Sequence, residues 1–182
     1  MLNEIQRVLE TADLLFGEQE VEAALDQMAA QINRKLAGTN PVFLCMLNGG
    51  IVAAGRLLTR LTMPLTIDAV NASRYQNKIM GSTLEWTLKP ATPLHGRTVL
   101  IVDDILDEGI TLKAIVDHCL EQGAEAVYSA VLVDKRLERT KPIQADFVGV
   151  EAENRYLFGY GMDYKGYLRN AAGIYACKEA DA

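Results

Sequence analysis

Short apolar runs alternate with amphipathic helical stretches along most of the chain. The short runs have the length of buried strands, and the helical stretches carry apolar residues at i, i+3 and i+4 spacing. Strands and helices that alternate in this way predict a mainly parallel, twisted sheet flanked by helices, which is an α/β fold. The predicted strands are 41–47, 65–70, 99–102, 127–133, 147–150, 155–158 and 174–177. Four helices are predicted. Two lie near the N-terminus, the second of them at about 18–36, a third lies at 51–61, and a fourth ends at Gly123.

The segment between the strands 65–70 and 99–102 breaks this alternation. Residues from about 73 to 82 are polar and include Gly81, and residues 84–89 alternate loosely between apolar and polar. Long loops in compact domains are often lids over a binding site. We therefore expect a long excursion here that contains one extended segment.

The most informative stretch is 99–111, which reads VLIVDDILDEGIT. Asp103 and Asp104 follow the apolar strand, and the carboxyl ends of parallel strands are where open α/β sheets bind ligands. Gly109 predicts a tight turn, and Thr111 is expected to cap the helix that follows. A glycine turn that opens a helix presents free backbone amides and favours phosphate. Acids beside phosphate imply hydroxyl donors or a divalent cation between them.

Two other interpretations of these acids are possible. The acids could simply end a strand and begin a helix, but three acids within five residues, next to a glycine turn, favour a site. A two-component receiver domain also places paired acids at a strand end. There the pair follows the first strand, whereas about a hundred residues precede Asp103 here.

Composition narrows the class of protein. The chain has 182 residues, which suits one domain, with 18 basic and 24 acidic residues and a net charge of −6. The only basic cluster is 135–141, so we expect no binding to nucleic acid or to an anionic membrane. The sequence has no apolar run long enough for a membrane span, and MLNEIQRVLE lacks a secretory apolar segment, so we expect a cytoplasmic protein.

The cysteines and histidines give no sign of a metal or nucleophile site. Cys45, Cys119 and Cys177 lie singly on apolar runs and are expected to be reduced core residues. His95 and His118 are the only histidines, and their positions give little support to a metal pair or a Ser-His-Asp triad.

Further motifs follow in a fixed order outside the 99–111 stretch. They are LNGG at 47–50, SRY at 73–75, VDKR at 133–136, DFVG at 146–149, RYLFGY at 155–160 and MDY at 162–164, the last followed by Arg169. Together with VLIVDDILDEGIT, they resemble type I phosphoribosyltransferases, and within them the hypoxanthine-guanine phosphoribosyltransferases. The resemblance runs from about residue 42 to 177.

The resemblance implies a fold, a reaction and a cofactor. It implies one phosphoribosyltransferase domain over 1–182, with a lid loop at about 73–88 and a small hood formed by the N-terminal helices and about 151–177. The reaction would be purine salvage: transfer of 5-phosphoribosyl from 5-phosphoribosyl-1-pyrophosphate (PRPP) to N9 of hypoxanthine or guanine, with Mg²⁺. A homodimer or homotetramer is usual in the family.

The three acids of the signature have separate roles in the family. The resemblance implies that Asp103 and Asp104 accept hydrogen bonds from the ribose hydroxyls, directly or through Mg²⁺, and face the positive charge that develops at C1. Asp107 matches the general base that takes or shares the purine N7 proton. Asp107 could also cap the helix.

The phosphate-binding residues match the family with two departures. Glu108, Gly109, Ile110 and Thr111 would bind the 5′-phosphate, although the family usually has threonine where Glu108 stands, and a carboxylate near phosphate is repulsive unless it points outward or meets a cation. Asn48, Gly49 and Arg169 would bind pyrophosphate, although the family commonly has lysine at position 48.

The remaining roles concern the purine and the lid. Lys135 would donate to the purine O6, Tyr156 would stack on the base, and Leu157 would contact its edge through the backbone. Asp163 would hold a second Mg²⁺ and lie near the purine. Arg74 and Tyr75 belong to the expected lid, which would exclude water from the reacting centre.

Two alternatives stay open. One is the same chemistry with xanthine preferred, since guanine and xanthine differ only at C2, where backbone groups around Leu157 and Asp163 are expected. The other is a phosphoribosyltransferase-like regulator that binds a nucleotide or PRPP and acts on nucleic acid. The presence of Asp107 and the acidic net charge speak against the regulator.

Overall fold

The computed structural model describes residues 1–74 and 84–181. Four helices, nine strands and a short 3₁₀ turn are formed within these ranges. The helices are α1 (Leu2–Thr11), α2 (Glu18–Lys35), α3 (Ile51–Leu58) and α4 (Ile110–Glu121), and the strands are β1 (Asp13–Gly17), β2 (Val42–Met46), β3 (Thr66–Arg74), β4 (Leu84–Leu88), β5 (Thr98–Leu106), β6 (Ala126–Lys135), β7 (Phe147–Ala152), β8 (Leu157–Phe158) and β9 (Gly173–Ala176).

The main sheet contains six strands in the order β4-β3-β2-β5-β6-β7. All neighbouring pairs are parallel except β3 and β4. The central strands are apolar because they are buried on both faces, and all five side chains of β2 are buried. The predicted mainly parallel α/β fold is confirmed.

Helices cover the two faces of this sheet. On one face, Leu25 and Ile32 of α2 and Leu57 of α3 are fully buried in a cluster with Leu100 and Val102 of β5. On the other face, α4 packs its stripe of Leu112, Ile115 and Cys119 into a second cluster. Burying one such side chain stabilises the fold by about 1.5–3 kcal/mol. The α2 pattern predicted from sequence therefore marks the face that packs on the sheet.

A second, three-stranded sheet has the order β1-β9-β8. It packs with α1 into a separate cluster that includes Phe158 and Tyr164, and the rings of Phe158 and Tyr175 stack at 5.3 Å between centroids. The sequence pattern does not predict β1, since this five-residue strand is formed through pairing with β9, far along the chain.

Strands β3 and β4 form an antiparallel ribbon that leads to the expected lid. Their pairing runs from Asn71 opposite Leu88 to Arg74 opposite Leu84. Residues 84–88 of the predicted lid loop therefore belong to an edge strand, because their loose alternation lets them pair with an extended β3. Tyr75 lies outside the described residues, and only the backbone of Arg74 is described.

Two further sequence predictions are tested by the fold. All three cysteines are free thiols and buried, which confirms them as reduced core residues. Within 1–74 and 84–181, the helices are too short or too polar to cross a bilayer.

Candidate active site

A cavity of about 470 Å³ opens at the carboxyl edge of the main sheet. Its walls are the β2–α3 loop (residues 47–50), the end of β5, the β5–α4 loop (residues 107–109) and the first turn of α4. Asp163 and Arg169 close it from the side of the small sheet. The fold thus brings most of the predicted phosphate and ribose residues around one space.

Asp103 and Asp104 lie inside β5 rather than after it. The sequence placed the end of the strand at Val102, but β5 continues to Leu106 because its pairing with β6 extends that far. The pairing with β2 does stop at Val102, where β2 gives way to the β2–α3 loop. The two acids therefore lie where one neighbouring strand has left the sheet, which opens the cavity beside them.

These two carboxyls are electrostatically strained. Burial and the repulsion of Asp104 raise the pKa of Asp103 well above its usual range, and burial raises the pKa of Asp104. The nearby Arg169 guanidinium partly offsets the effect at Asp104. Burial, with a contribution from both acids, also raises the pKa of the Cys45 thiol to about 11. A ligand that supplies positive charge or hydroxyl donors would relieve this repulsion.

The β5–α4 loop and the start of α4 both line the cavity. Gly109 adopts a left-handed conformation with φ 79°, as its glycine predicted, and is the N-cap of α4. Thr111 is not the cap predicted from sequence, because the helix begins at Ile110 and Thr111 lies in its first turn. Lys113 N donates to Gly109 O at 3.0 Å, so the amides of residues 110–112 precede this first helical bond.

Two ion pairs join this loop to the end of β6 and to the segment that follows it. Lys135 is 9% exposed, and its Nζ lies 2.9 Å from Asp107 Oδ2. Glu108 forms an ion pair with Arg139, and both side chains are partly exposed. The structure thus shows how the chain accommodates the departure at Glu108: its carboxylate meets a cation.

The β2–α3 loop fits tightly against Asp104. A Cβ on Gly49 would lie 2.0 Å from Asp104 Oδ2, and a Cβ on Gly50 would lie 2.6 Å from Met46 O. The Leu47–Asn48 peptide bond is cis, and the Asn48 side chain is exposed. Only glycine allows the loop to approach the acid this closely.

The segment 159–161 packs against the same loop, and sequence reasoning missed it. A Cβ on Gly161 would lie 2.0 Å from Gly49 O. Arg169 donates from Nη1 to Gly161 O at 2.6 Å, and its Nη2 lies 2.7 Å from Asp163 Oδ1. Asp163 Oδ2 accepts from Gly166 N at 2.7 Å. The signals available in the sequence were the glycines of 159–166 and the motif RYLFGY at 155–160.

A second cavity, of about 290 Å³, continues from Asp104 and Asp107 toward the small sheet. Lys135, Tyr156 and Leu157 line it together with Asp163. Tyr156 is 39% exposed and packs edge-on against Tyr164 at 5.6 Å between centroids. The four predicted purine residues therefore share one space, open to a flat ligand, beside Asp107.

Among residues 1–74 and 84–181, no group of three or more His, Cys, Asp or Glu side chains could hold a metal by itself. Asp103 and Asp104 supply adjacent carboxylate oxygens, which are hard ligands suited to Mg²⁺. Their repulsion also favours a cation. The donor set fits a metal that the protein shares with a phosphate-bearing substrate.

Comparison with known proteins agrees with this geometry. Residues 13–165 match the model of the phosphoribosyl transferase domain. The chain is 33% identical over 178 residues to the hypoxanthine-guanine phosphoribosyltransferase of Streptococcus pneumoniae, covering 97% of this chain and 96% of that protein. It is 27% identical over 181 residues to the hypoxanthine-guanine-xanthine phosphoribosyltransferase of Tritrichomonas foetus, covering 99% and 96%.

A solved structure gives the same result. The crystal structure of a hypoxanthine phosphoribosyltransferase from Staphylococcus aureus superposes with a TM-score of 0.86 at 26% identity, covering 92% of each chain. The family match over most of the chain and the similar relatives confirm the resemblance found in the motifs. The chain belongs to the phosphoribosyltransferase family, in the group of the hypoxanthine-guanine phosphoribosyltransferases.

Proposed function

We propose that the protein transfers the 5-phosphoribosyl group of PRPP to N9 of hypoxanthine or guanine, which releases pyrophosphate and gives IMP or GMP. The observation that carries the proposal is the meeting of two cavities at Asp104 and Asp107. One is lined by carboxylates and helix-terminal amides, and the other by Lys135 and Tyr156. A ribose phosphate and a planar base held in these cavities would meet at the acids between them.

The ribose end of PRPP would bind at Asp103 and Asp104. Their carboxylates would accept hydrogen bonds from the 2′ and 3′ hydroxyls and face the positive charge that grows at C1 as the bond to pyrophosphate breaks. Asp103 and Asp104 would hold one Mg²⁺ and Asp163 a second, and the bound cations would neutralise charge on the leaving pyrophosphate. Arg169 is adjacent to Asp163 and would bind pyrophosphate oxygens.

The 5′-phosphate would bind at the start of α4. Glu108, Gly109, Ile110 and Thr111 line the cavity here, and the unbonded amides and the positive dipole end at the start of a helix favour an anion. The Thr111 hydroxyl would add a donor. On the opposite side, Asn48 and the amide of Gly49 would contact pyrophosphate.

The base would be read by Lys135 and held by Tyr156. Lys135 Nζ has donors only, so it favours the O6 of a 6-oxopurine over the amino group of adenine. Because it already lies 2.9 Å from Asp107 Oδ2, it orients that carboxylate toward the same edge of the base. As N9 forms its bond to C1, Asp107 would take the N7 proton. Tyr156 would stack on the ring and the Leu157 backbone would contact its edge.

Further parts of the proposal concern the whole chain. We propose one domain over 1–182, a lid at about 73–88 in which Arg74 and Tyr75 cover the reacting centre, and a hood from the N-terminal helices and about 151–177. We propose a homodimer or homotetramer, as is usual in the family, and a cytoplasmic location, as expected from the sequence.

The test is a direct assay. The protein is incubated with PRPP and Mg²⁺ and offered hypoxanthine, guanine, xanthine and adenine in turn, and nucleotide and pyrophosphate are both measured. We expect equal amounts of the two products with hypoxanthine and guanine and none with adenine. Dominant turnover of xanthine would support the xanthine alternative, and absence of product with all four bases would support a regulatory protein.

A further inference from the structure

The segment 159–161 determines where two pyrophosphate-side groups lie. Gly161 packs on the carbonyl of Gly49, so the β2–α3 loop rests on this segment. Gly161 also exchanges two hydrogen bonds with Arg169: its N–H donates to Arg169 O at 2.9 Å, and Arg169 Nη1 donates to its carbonyl at 2.6 Å. A shift of the segment would therefore move both Gly49 and the Arg169 guanidinium.

Tyr160, the central residue of this segment, is held by contacts of both its side chain and its backbone. Its side chain is buried, with 3% of the residue exposed, and its φ of 48° lies in the left-handed region that non-glycine residues seldom adopt. Its hydroxyl donates to Glu22 of α2, and its backbone N–H donates to Ala171 O at 3.1 Å. Contacts at both ends of the residue hold this conformation in place.

Glu22 is itself fixed as an anion. Burial opposes its charge, but the Tyr160 hydroxyl and the guanidinium groups of Arg60 and Arg56 outweigh burial and lower its pKa. Arg60 Nη2 lies 2.6 Å and Arg56 Nε 3.3 Å from the Glu22 carboxylate. An ionised acceptor makes the hydrogen bond from Tyr160 stronger than a neutral one would.

These contacts connect Glu22 and Tyr160 both to helix α3 and to the β2–α3 loop that precedes it. Arg56 and Arg60 follow that loop on α3 and in the turn after it, and Glu22 connects them to Tyr160. Tyr160 is joined through Gly161 to Gly49, at the beginning of the same helix. The loop is thus supported at its backbone and through the arginines of the helix that it precedes.

We propose that Tyr160 is a positioning residue for the pyrophosphate half of PRPP, acting through its hydroxyl bond to Glu22. The proposal rests on the transferase function above. At position 48 the family pattern has lysine, whereas this chain has an uncharged asparagine, so its pyrophosphate binding depends on the placement of the Gly49 amide and Arg169. Tyr160 holds the segment that sets both.

The test separates positioning from packing. Tyr160→Phe keeps the buried ring and removes only the hydroxyl, and Tyr164→Phe is the matched control. Tyr164 is also buried, at 2% exposure, but its hydroxyl faces Glu4 of α1 at 3.4 Å. Calorimetric binding of magnesium pyrophosphate is measured for each variant, together with the KM values for PRPP and hypoxanthine and the thermal midpoint.

We expect Tyr160→Phe to weaken pyrophosphate binding and raise the KM for PRPP roughly tenfold, equivalent to about 1.4 kcal/mol. The KM for hypoxanthine should stay within about twofold, because the base site lies on the other side of Asp104. Tyr164→Phe should leave pyrophosphate binding unchanged. Wild-type pyrophosphate affinity in a folded Tyr160→Phe protein, or an equal loss of affinity for both substrates, would overturn the proposal.

A second variant, Glu22→Gln, tests the same proposal if Tyr160→Phe does not fold. Glu22→Gln retains an acceptor for the hydroxyl and removes the charge, and it should show the same selective loss in smaller measure. In the double variant the two losses should not add, since they interrupt one connection. Additive losses would contradict the route through Glu22. Because pyrophosphate binding is read without turnover, a failure of the positioning role is distinguishable from a wild-type protein that makes no nucleotide.

Discussion

The two loops proposed to bind the opposite ends of PRPP each depart from the family pattern, and the structure accommodates them in different ways. In the β5–α4 loop, Glu108 adds a negative charge, and the Arg139 side chain meets it. In the β2–α3 loop, Asn48 lacks the lysine charge, and the loop is fixed by backbone contacts of Gly49 with Asp104 and Gly161. The departure at Glu108 is offset by the charge of Arg139, whereas the departure at Asn48 leaves pyrophosphate binding dependent on the geometry of the loop.

This difference predicts how each loop responds to mutation. A partly exposed ion pair contributes little and can be removed and restored by single substitutions. At Gly49, by contrast, a Cβ would lie only 2.0 Å from the Asp104 carboxylate, so the loop has no room for a side chain there. Substitution of Gly49 in the β2–α3 loop should therefore cost more than substitutions in the Glu108–Arg139 pair.

The largest effect is expected at Asp107. Asp107→Asn keeps the shape and the contact with Lys135 but removes the proton acceptor, and kcat should fall roughly 100- to 10,000-fold. Steady-state kinetics with hypoxanthine measure the change, and Asp117→Asn, on the outer part of α4 and paired with Lys113, is the control. Near-normal kcat for Asp107→Asn would remove this residue from the mechanism.

Gly49→Ala tests the backbone approach in the other loop. The new Cβ would meet the Asp104 carboxylate, so the loop must shift, and a displacement of about 1 Å can cost on the order of 100-fold in kcat/KM. Gly55→Ala is the matched control, because its Cβ would have no neighbour within 4 Å. Equal kinetics for the two alanine variants would show that the contact with Asp104 does not matter.

Asp103 lies between the loops and gives a pH-dependent test. Its pKa is raised in the folded protein. Ionisation of Asp103 therefore destabilises the fold increasingly as the pH rises from the pKa of the unfolded state, about 3.9, toward the pKa of the folded state. Asp103→Asn removes this penalty. Its thermal midpoint should exceed that of the wild type at pH 7 by about 2–4 °C per kcal/mol relieved, while turnover falls.

The pH profile supplies the control for Asp103. The gain in midpoint should shrink as pH falls and vanish below the unfolded pKa of about 3.9, where the wild-type carboxyl becomes protonated in both states. A gain that is independent of pH would mean that the substitution acts through packing instead of charge.

Arg139→Ala tests whether Arg139 offsets the negative charge of Glu108. It leaves Glu108 negative beside the proposed 5′-phosphate site, and the KM for PRPP should rise by up to about fivefold, equivalent to about 1 kcal/mol. Glu108→Thr in the same protein should reverse the rise. Arg136→Ala, which removes a cation paired with Glu151, should leave the KM unchanged. If Glu108→Thr gives no reversal, Arg139 does not act by neutralising Glu108.

The smallest effect is expected for Asn48→Lys. An exposed lysine near the proposed pyrophosphate site adds one screened charge, worth about 0.2–1 kcal/mol, so pyrophosphate binding should tighten by less than about fivefold. The gain should decrease at high salt. Weaker binding would show that the loop geometry leaves no place for this side chain.

Local patterns in the chain predicted most elements and their approximate limits. The stripe Leu112, Ile115 and Cys119 predicted a helix, and Gly109 predicted the turn before it, since both depend on neighbours along the chain. The sequence did not predict β1 or the continuation of β5 past Val102, because both depend on pairing with distant strands. It also predicted no role for Tyr160 of the RYLFGY motif, because its partner Glu22 lies far away in the chain, on α2.

The sequence by itself determined the α/β class, the family motifs, the acids and the glycine turns, because strand and helix periodicity and turn chemistry are local properties. Only the tertiary structure showed that Arg139 meets Glu108, that Lys135 meets Asp107, and that Gly49 rests between Asp104 and Gly161. These contacts join residues far apart in the chain, so their charges and distances exist only after the sheet has formed.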